Sequence, residues 1–186
     1  MPKVPMKLEV ADRLAAAILD NIRPACTRAE VAGSIRRRKP VCGDVEIVCV
    51  SKIDPGGLFG DLKKPTLFPV LESLVKAGKL IYLQGGEKMR RYQIVKSEGT
   101  CLDLHIVSPE TWGVLFAIRT GSAEFAKTLV TQRCQRGRLD DGLVVKDGRV
   151  WTIGADGAER TALNTPEEQD FFAVAGGYVP PEKRIA

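Results

Sequence analysis

Two acids, Asp44 and Glu46, occupy alternate positions at the head of an otherwise apolar run, Asp44-Val-Glu-Ile-Val-Cys-Val50, and this pattern restricts the fold more than any other stretch of the chain. Side chains alternate along a strand, so both carboxylates leave one face while Val45 and Ile47 point into a core. The Val, Ile and Cys content marks the strand as largely buried. Two acids side by side repel, and the usual compensation is a divalent cation shared between oxygen ligands. Just upstream, Ala-Glu-Val-Ala (29–32) reads as a short strand ending at Gly33-Ser34, where backbone amides and a hydroxyl can meet phosphate oxygens. The cationic cluster Arg36-Arg37-Arg38-Lys39 follows. A phosphate-type turn, cations and paired acids together suit a nucleoside triphosphate handled with metal ions.

A chain of 186 residues can bury a real core and suits one domain or two small subdomains. Its 28 basic against 23 acidic residues favour a polyanionic partner. The cysteines Cys26, Cys42, Cys49, Cys101 and Cys134 are scattered and form no CxxC pair, which reads as reduced and structural. No apolar run approaches the roughly 20 residues of a membrane span, and there is no signal-peptide core. The expectation is a soluble, cytoplasmic protein that engages no membrane.

Leu8, Val10, Leu14, Ala17, Ile18 and Ile22 recur at near-helical spacing, which predicts an amphipathic helix from Met6 to about Ile22, ended by Pro24. Residues 51–65, with Pro55-Gly56-Gly57 and Lys63-Lys64, have no period and read as a loop. A helix is predicted at 66–77, then strands at 80–83, 90–96 and 100–107. In the last of these Asp103 lies between Leu102 and Leu104, a charge facing away from two core residues. It is the third acid candidate, since strands distant in sequence can be neighbours in a sheet. Three acids around two magnesium ions can stabilise both the attacking and the leaving oxygen of an in-line phosphoryl displacement.

Two further helices are predicted at 110–119 and 122–135, broken at Thr120-Gly121, with Ser122 capping the second. Residues 143–153 predict a hairpin turning at Asp147-Gly148. Thr165-Pro-Glu-Glu168 predicts a capping box opening a last helix, closed by Gly176-Gly177. His105, the single histidine, shares a strand face with Asp103 and reads as structural, and Trp112 and Trp151 read as core.

With Gly33-Ser34, Arg36-Arg37, Gly43-Asp44-x-Glu46, Leu-Asp103-Leu, Thr120-Gly121-Ser122 and Pro180-Pro181-Glu-Lys-Arg184 in this order, the chain resembles the family X DNA polymerases, of the DNA polymerase beta type. The resemblance implies an α+β fold. Residues 1–110 would be a nucleotidyltransferase palm, a mixed β-sheet with helices on one side, and 111–186 a small α/β thumb that selects the nucleotide. It is closest in layout to the minimal palm-plus-thumb members, with neither a lyase nor a helix-hairpin-helix domain, a form compatible with a virus or phage origin. The resemblance further implies that Asp44, Glu46 and Asp103 are catalytic and hold two Mg2+ ions. Gly33, Ser34, Arg37, Gly43, Thr120, Gly121 and Ser122 would bind the nucleotide, and a cis Gly121-Ser122 peptide is implied. Arg36, Arg38 and Lys127 are the expected DNA contacts. The implied partners are a dNTP and gapped or primer-template DNA, bound by a monomer, for short-gap filling in DNA repair.

Three features depart from the family pattern. Glu46 stands where an aspartate is usual, and its extra methylene shifts the expected metal preference toward Mn2+. Ile118 and Arg119 replace an aromatic pair that restricts ribose, which weakens the expected sugar selectivity. Ala126 and Val130 replace polar minor-groove readers, which lowers the expected fidelity. Template-independent nucleotidyl transfer and a catalytically weak DNA-binding module are the rival readings.

Overall fold

The computed structural model describes residues 4–54, 64–95 and 97–185, and the elements it shows are mixed α and β. In chain order they are β1 (Met6–Lys7), α1 (Leu8–Ile22), β2 (Cys26–Val31), α2 (Gly33–Arg36), β3 (Val41–Cys42), β4 (Val45–Ser51), β5 (Ile53–Asp54), β6 (Lys64–Pro65), α3 (Leu67–Lys76), β7 (Leu80–Gly85), β8 (Met89–Ile94) and β9 (Cys101–Ile106). There follow α4 (Trp112–Thr120), α5 (Ala123–Val130), β10 (Leu143–Lys146), β11 (Arg149–Ile153), β12 (Glu159–Ala162) and α6 (Glu168–Val174). The chain divides into two compact units, Met1–Val31 with Lys39–Val107, and Ala32–Arg38 with Ser108–Ala186. The division expected at 110–111 thus falls between Val107 and Ser108. Ala32–Arg38 counts with the second unit, where Arg36 and Arg37 both donate hydrogen bonds to Thr120.

The first unit is built on a five-stranded mixed sheet in the order β2-β4-β9-β8-β7. The pair β4-β9 is parallel and the remaining pairs are antiparallel. Val45, Ile47, Leu102 and Leu104 are wholly buried on one face. On that face α3 lies over Arg90 and Tyr92, and α1 packs against α3, β2 and β4, so the helices cover one side of the sheet. The buried stripe of α1 is Ala11, Ala15, Ile18, Leu19 and Ile22 rather than the larger apolar set the spacing suggested. Val10 stays exposed, because at helical spacing it lies off that stripe.

The second unit surrounds a core of Val114, Ala117, Phe125, Leu129, Leu139, Leu143, Val150, Phe171, Phe172 and Ala175. The expected hairpin forms with Lys146 opposite Arg149 and with positive φ at both Asp147 and Gly148, the backbone that a two-residue turn of this hand requires. The strand β12, absent from the sequence reading, extends it to three strands.

Four other local expectations are corrected. Gly33-Ser34 opens a single helical turn rather than a plain bend. The stretch 51–65 is not all loop, because Ile53 pairs with Pro65 and Asp54 with Lys64; Pro55-Gly56-Gly57 and Lys63 lie outside the described residues. The helix expected over 122–135 stops at Val130, and a 3-10 turn at Arg133–Gln135 follows. The capping box of α6 is formed by Glu167 and Asp170 instead of Thr165 and Glu168, since Thr165 is buried and Glu168 is held by two arginines.

Candidate active site

The face of the first unit's sheet opposite its helices carries the acids. Directly opposed residues in paired strands share a face. Glu46 on β4 opposes Asp103 on β9, and Asp103 in turn opposes Arg91 on β8. Glu46, Asp103 and Arg91 therefore form a lateral row across three strands. Asp44, two positions before Glu46 at the mouth of β4, is buried, while Glu46 and Asp103 are half-buried. His105, two positions beyond Asp103, is also buried, in keeping with a structural histidine.

Arg91 is the residue that sequence reasoning missed. Its Nε lies 3.3 Å from Asp103 Oδ1, with the two side chains 26% and 13% exposed, so water screens this ion pair only in part. A hydrogen bond with the Cys101 thiol, opposed by burial and joined by the charges of Asp103, Cys101 and Asp44, holds the guanidinium above its ordinary pKa. The signal in the sequence was the alternation of Met89, Arg91 and Gln93 against Arg90, Tyr92 and Ile94, which puts a charge on the acid face once β8 is paired with β9.

Three carboxylates on neighbouring strands are hard oxygen donors, the right kind for Mg2+ or Mn2+. Their side chains are not gathered into a cage. Among the described residues no group of three or more His, Cys, Asp or Glu side chains is disposed to hold a metal ion. The strand register sets Glu46 beside Asp103, with Asp44 two positions upstream of Glu46.

The remaining expected site residues, apart from Gly43 at the bend before Asp44, belong to the second unit. Ser34 Oγ is buried with no hydrogen-bond partner among the described residues. Arg36 was expected to face DNA, yet its guanidinium is spent inside the unit. It donates to Thr120 Oγ1 at 2.7 Å and to both oxygens of Glu168 at 2.7 and 2.8 Å, and it stacks 3.8 Å from the centre of the Phe116 ring. Glu168 also receives the wholly buried Arg184. Burial pushes the Glu168 carboxyl up, but hydrogen bonds and charge from Arg36 and Arg184 outweigh it and leave its pKa below the usual value.

This ion cluster frames the Thr120-Gly121-Ser122 segment. Arg37 Nη1 donates to the Thr120 carbonyl, the Ser122 N–H donates to the Arg184 carbonyl at 2.9 Å, and Ser122 Oγ accepts from the Phe125 N–H at 3.1 Å. Thr120 is wholly buried, so its side chain serves the fold. No peptide bond among the described residues is cis, and the expected cis Gly121-Ser122 bond is trans. Gly121 N–H closes α4 on the Ala117 carbonyl. Arg38 and Lys127 are exposed.

The chain matches no protein-family model and no curated protein. No helix among the described residues is long and apolar enough to cross a membrane.

Proposed function

We propose that this protein is a DNA polymerase of the family X type, a metal-dependent nucleotidyltransferase that adds dNTPs to a primer 3′ end in short-gap filling. The observation that carries the reading is the register of β4 and β9, which sets Glu46 beside Asp103 with Asp44 two positions upstream on the sheet face away from the helices. Paired hard acids on the sheet face away from the helices suit phosphoryl transfer better than they suit a purely structural sheet, which would repel them apart for no gain. In this reading residues 1–110 are the palm and 111–186 the thumb.

A bound pair of Mg2+ or Mn2+ ions, held by Asp44, Glu46 and Asp103, would polarise the phosphoryl group and lower the pKa of the attacking hydroxyl. The chain's own part is to orient. Asp103 would lie nearest the primer 3′ hydroxyl and orient it for attack, with Asp44 and Glu46 as the other two carboxylates that would hold the ions. Ser34 and Arg37 would bind phosphate oxygens. The neighbouring Gly121 and Ser122 would lie along the sugar.

Primer extension on gapped, recessed and single-stranded DNA, with Mg2+ and with Mn2+, tests the proposal. Templated extension by the protein, lost by at least about a hundredfold in Asp103→Ala with DNA binding retained, is the expected result. Tailing without template would favour the terminal-transfer reading, and binding without extension the DNA-binding module.

A further inference from the structure

The five-stranded sheet ends at β7, and the sequence does little to protect that edge. Val95 N–H donates to the Lys79 carbonyl at 3.0 Å, whereas Ile94 turns its N–H the other way, to the Thr100 carbonyl at 2.9 Å. Leu80, which opposes Ile94, is therefore a position that makes no hydrogen bond with β8, and Tyr82, two residues on, is the next. The N–H and C=O groups of both point out of the edge. Open edges are usually blunted by a charge or a proline; here the middle of the strand is Ile81, 49% exposed, followed by Tyr82, 46% exposed. The helix layer stops short of the same edge. One flank of α3 is covered by α1, and the other, formed by Glu72, Val75 and Lys76, lines an open pocket with Tyr82 of β7 and Tyr92 of β8. Glu72 and Lys76 are exposed, one helical turn apart, and neither side chain has an ion-pair or hydrogen-bond partner among the described residues.

We propose that β7 pairs with β7 of a second copy of this chain, antiparallel about a two-fold axis through Ile81. Leu80 and Tyr82 flank Ile81 symmetrically, so Leu80 of each copy meets Tyr82 of the other as a hydrogen-bonded pair, and the two Ile81 side chains meet at the axis. The axis stands perpendicular to the sheet. Both α3 helices then lie on one face of a continuous ten-stranded sheet, antiparallel, with their uncovered flanks toward each other. That arrangement brings Glu72 of one helix toward Lys76 of the other, and the reverse, so two charges left unpaired in each copy become two ion pairs of the dimer. Val75 and Tyr82 lose their solvent exposure at the same junction. A second copy is the occupant because the edge backbone, the apolar centre and the helix charges are all complementary to themselves under one axis. The resemblance implied a monomer, and this edge replaces it with a symmetric dimer.

Sedimentation equilibrium of the whole protein, from low micromolar to submillimolar concentration and without DNA, tests the pairing. The parent should show a monomer–dimer equilibrium. Ile81→Lys sets two like charges against each other at the axis and should weaken the dimer by at least about a hundredfold, with the circular dichroism of a folded protein retained. Glu72→Lys and Lys76→Glu should each weaken it by about tenfold, since each leaves like charges facing across the axis. The double variant Glu72→Lys with Lys76→Glu restores opposite charges on the facing helices and should return the dimer to near the parent's strength. A parent that stays monomeric throughout overturns the proposal, and so does a dimer that survives Ile81→Lys in a folded protein. Failure of the double variant to recover would overturn the facing of the two α3 helices, and with it this axis.

Discussion

Glu168 shows how a single residue can anchor a unit. It is 8% exposed and accepts from two guanidinium groups, one of them on Arg184, whose side chain is wholly buried. Glu168→Ala leaves two cations facing each other without a counter-ion, and breaking a buried pair in this way costs about 3–5 kcal/mol. The direction of its pKa gives a second expectation. A carboxyl held below its ordinary value contributes stability that is whole above that value and is lost as the pH falls through the lowered one. Chemical denaturation of the protein at a series of pH values should therefore show stability declining on the acid side of about pH 4.5. In Glu168→Gln this part of the acid-side slope should disappear, and an unchanged slope would assign the acid sensitivity to other carboxylates.

The packing of α4 is decided by the absence of a side chain. A Cβ on Gly113 would lie 2.3 Å from the Glu167 carbonyl oxygen and 2.6 Å from that of Thr165, so this helix approaches the strand of chain before α6 at a distance only glycine permits. Gly113→Ala should cost about 1–3 kcal/mol by overpacking. Gly78→Ala is the control: it has positive φ and open space around it, so only the conformational cost of about 1 kcal/mol applies. Thermal melts of the two variants should separate clearly, and equal shifts would refute the steric account. At this scale the sequence was most legible where the signal is local. Asp147-Gly148 alone announced a hairpin, and the alternation of Asp44 and Glu46 announced which face they share. Arg91 was not legible because its meaning depends on pairing with β9, and the fate of Arg36 depends on Glu168, 132 positions away. Thr165 has the chemistry of a helix cap, but tertiary burial overrode it and handed the role to Glu167.

The whole chain carries a net charge of +5, and on a polyanionic partner that excess would act through the cations its own fold leaves unspent. Counting arginines and lysines in the sequence overstates the supply. Arg36 is closed on Glu168, Thr120 and Phe116, and Arg91 stands against Asp103, whereas Lys127 is exposed on α5. If the protein binds duplex DNA with a recessed end, each phosphate neutralised releases counterions, and the affinity falls with salt on a logarithmic slope set by the number of such contacts. Lys127→Ala should weaken binding at low salt and reduce that slope by about one, leaving the melting temperature nearly unchanged. Arg36→Ala should do the reverse. It removes a half-buried partner of Glu168 and lowers the melting temperature, while the slope for the fraction still folded stays that of the parent. Fluorescence anisotropy of labelled duplex across a salt series, beside thermal melts, separates the two outcomes. A reduced slope in Arg36→Ala without loss of stability would mean that its guanidinium leaves Glu168 for a phosphate when DNA arrives. The cluster that braces the second unit would then also be part of its grip on nucleic acid.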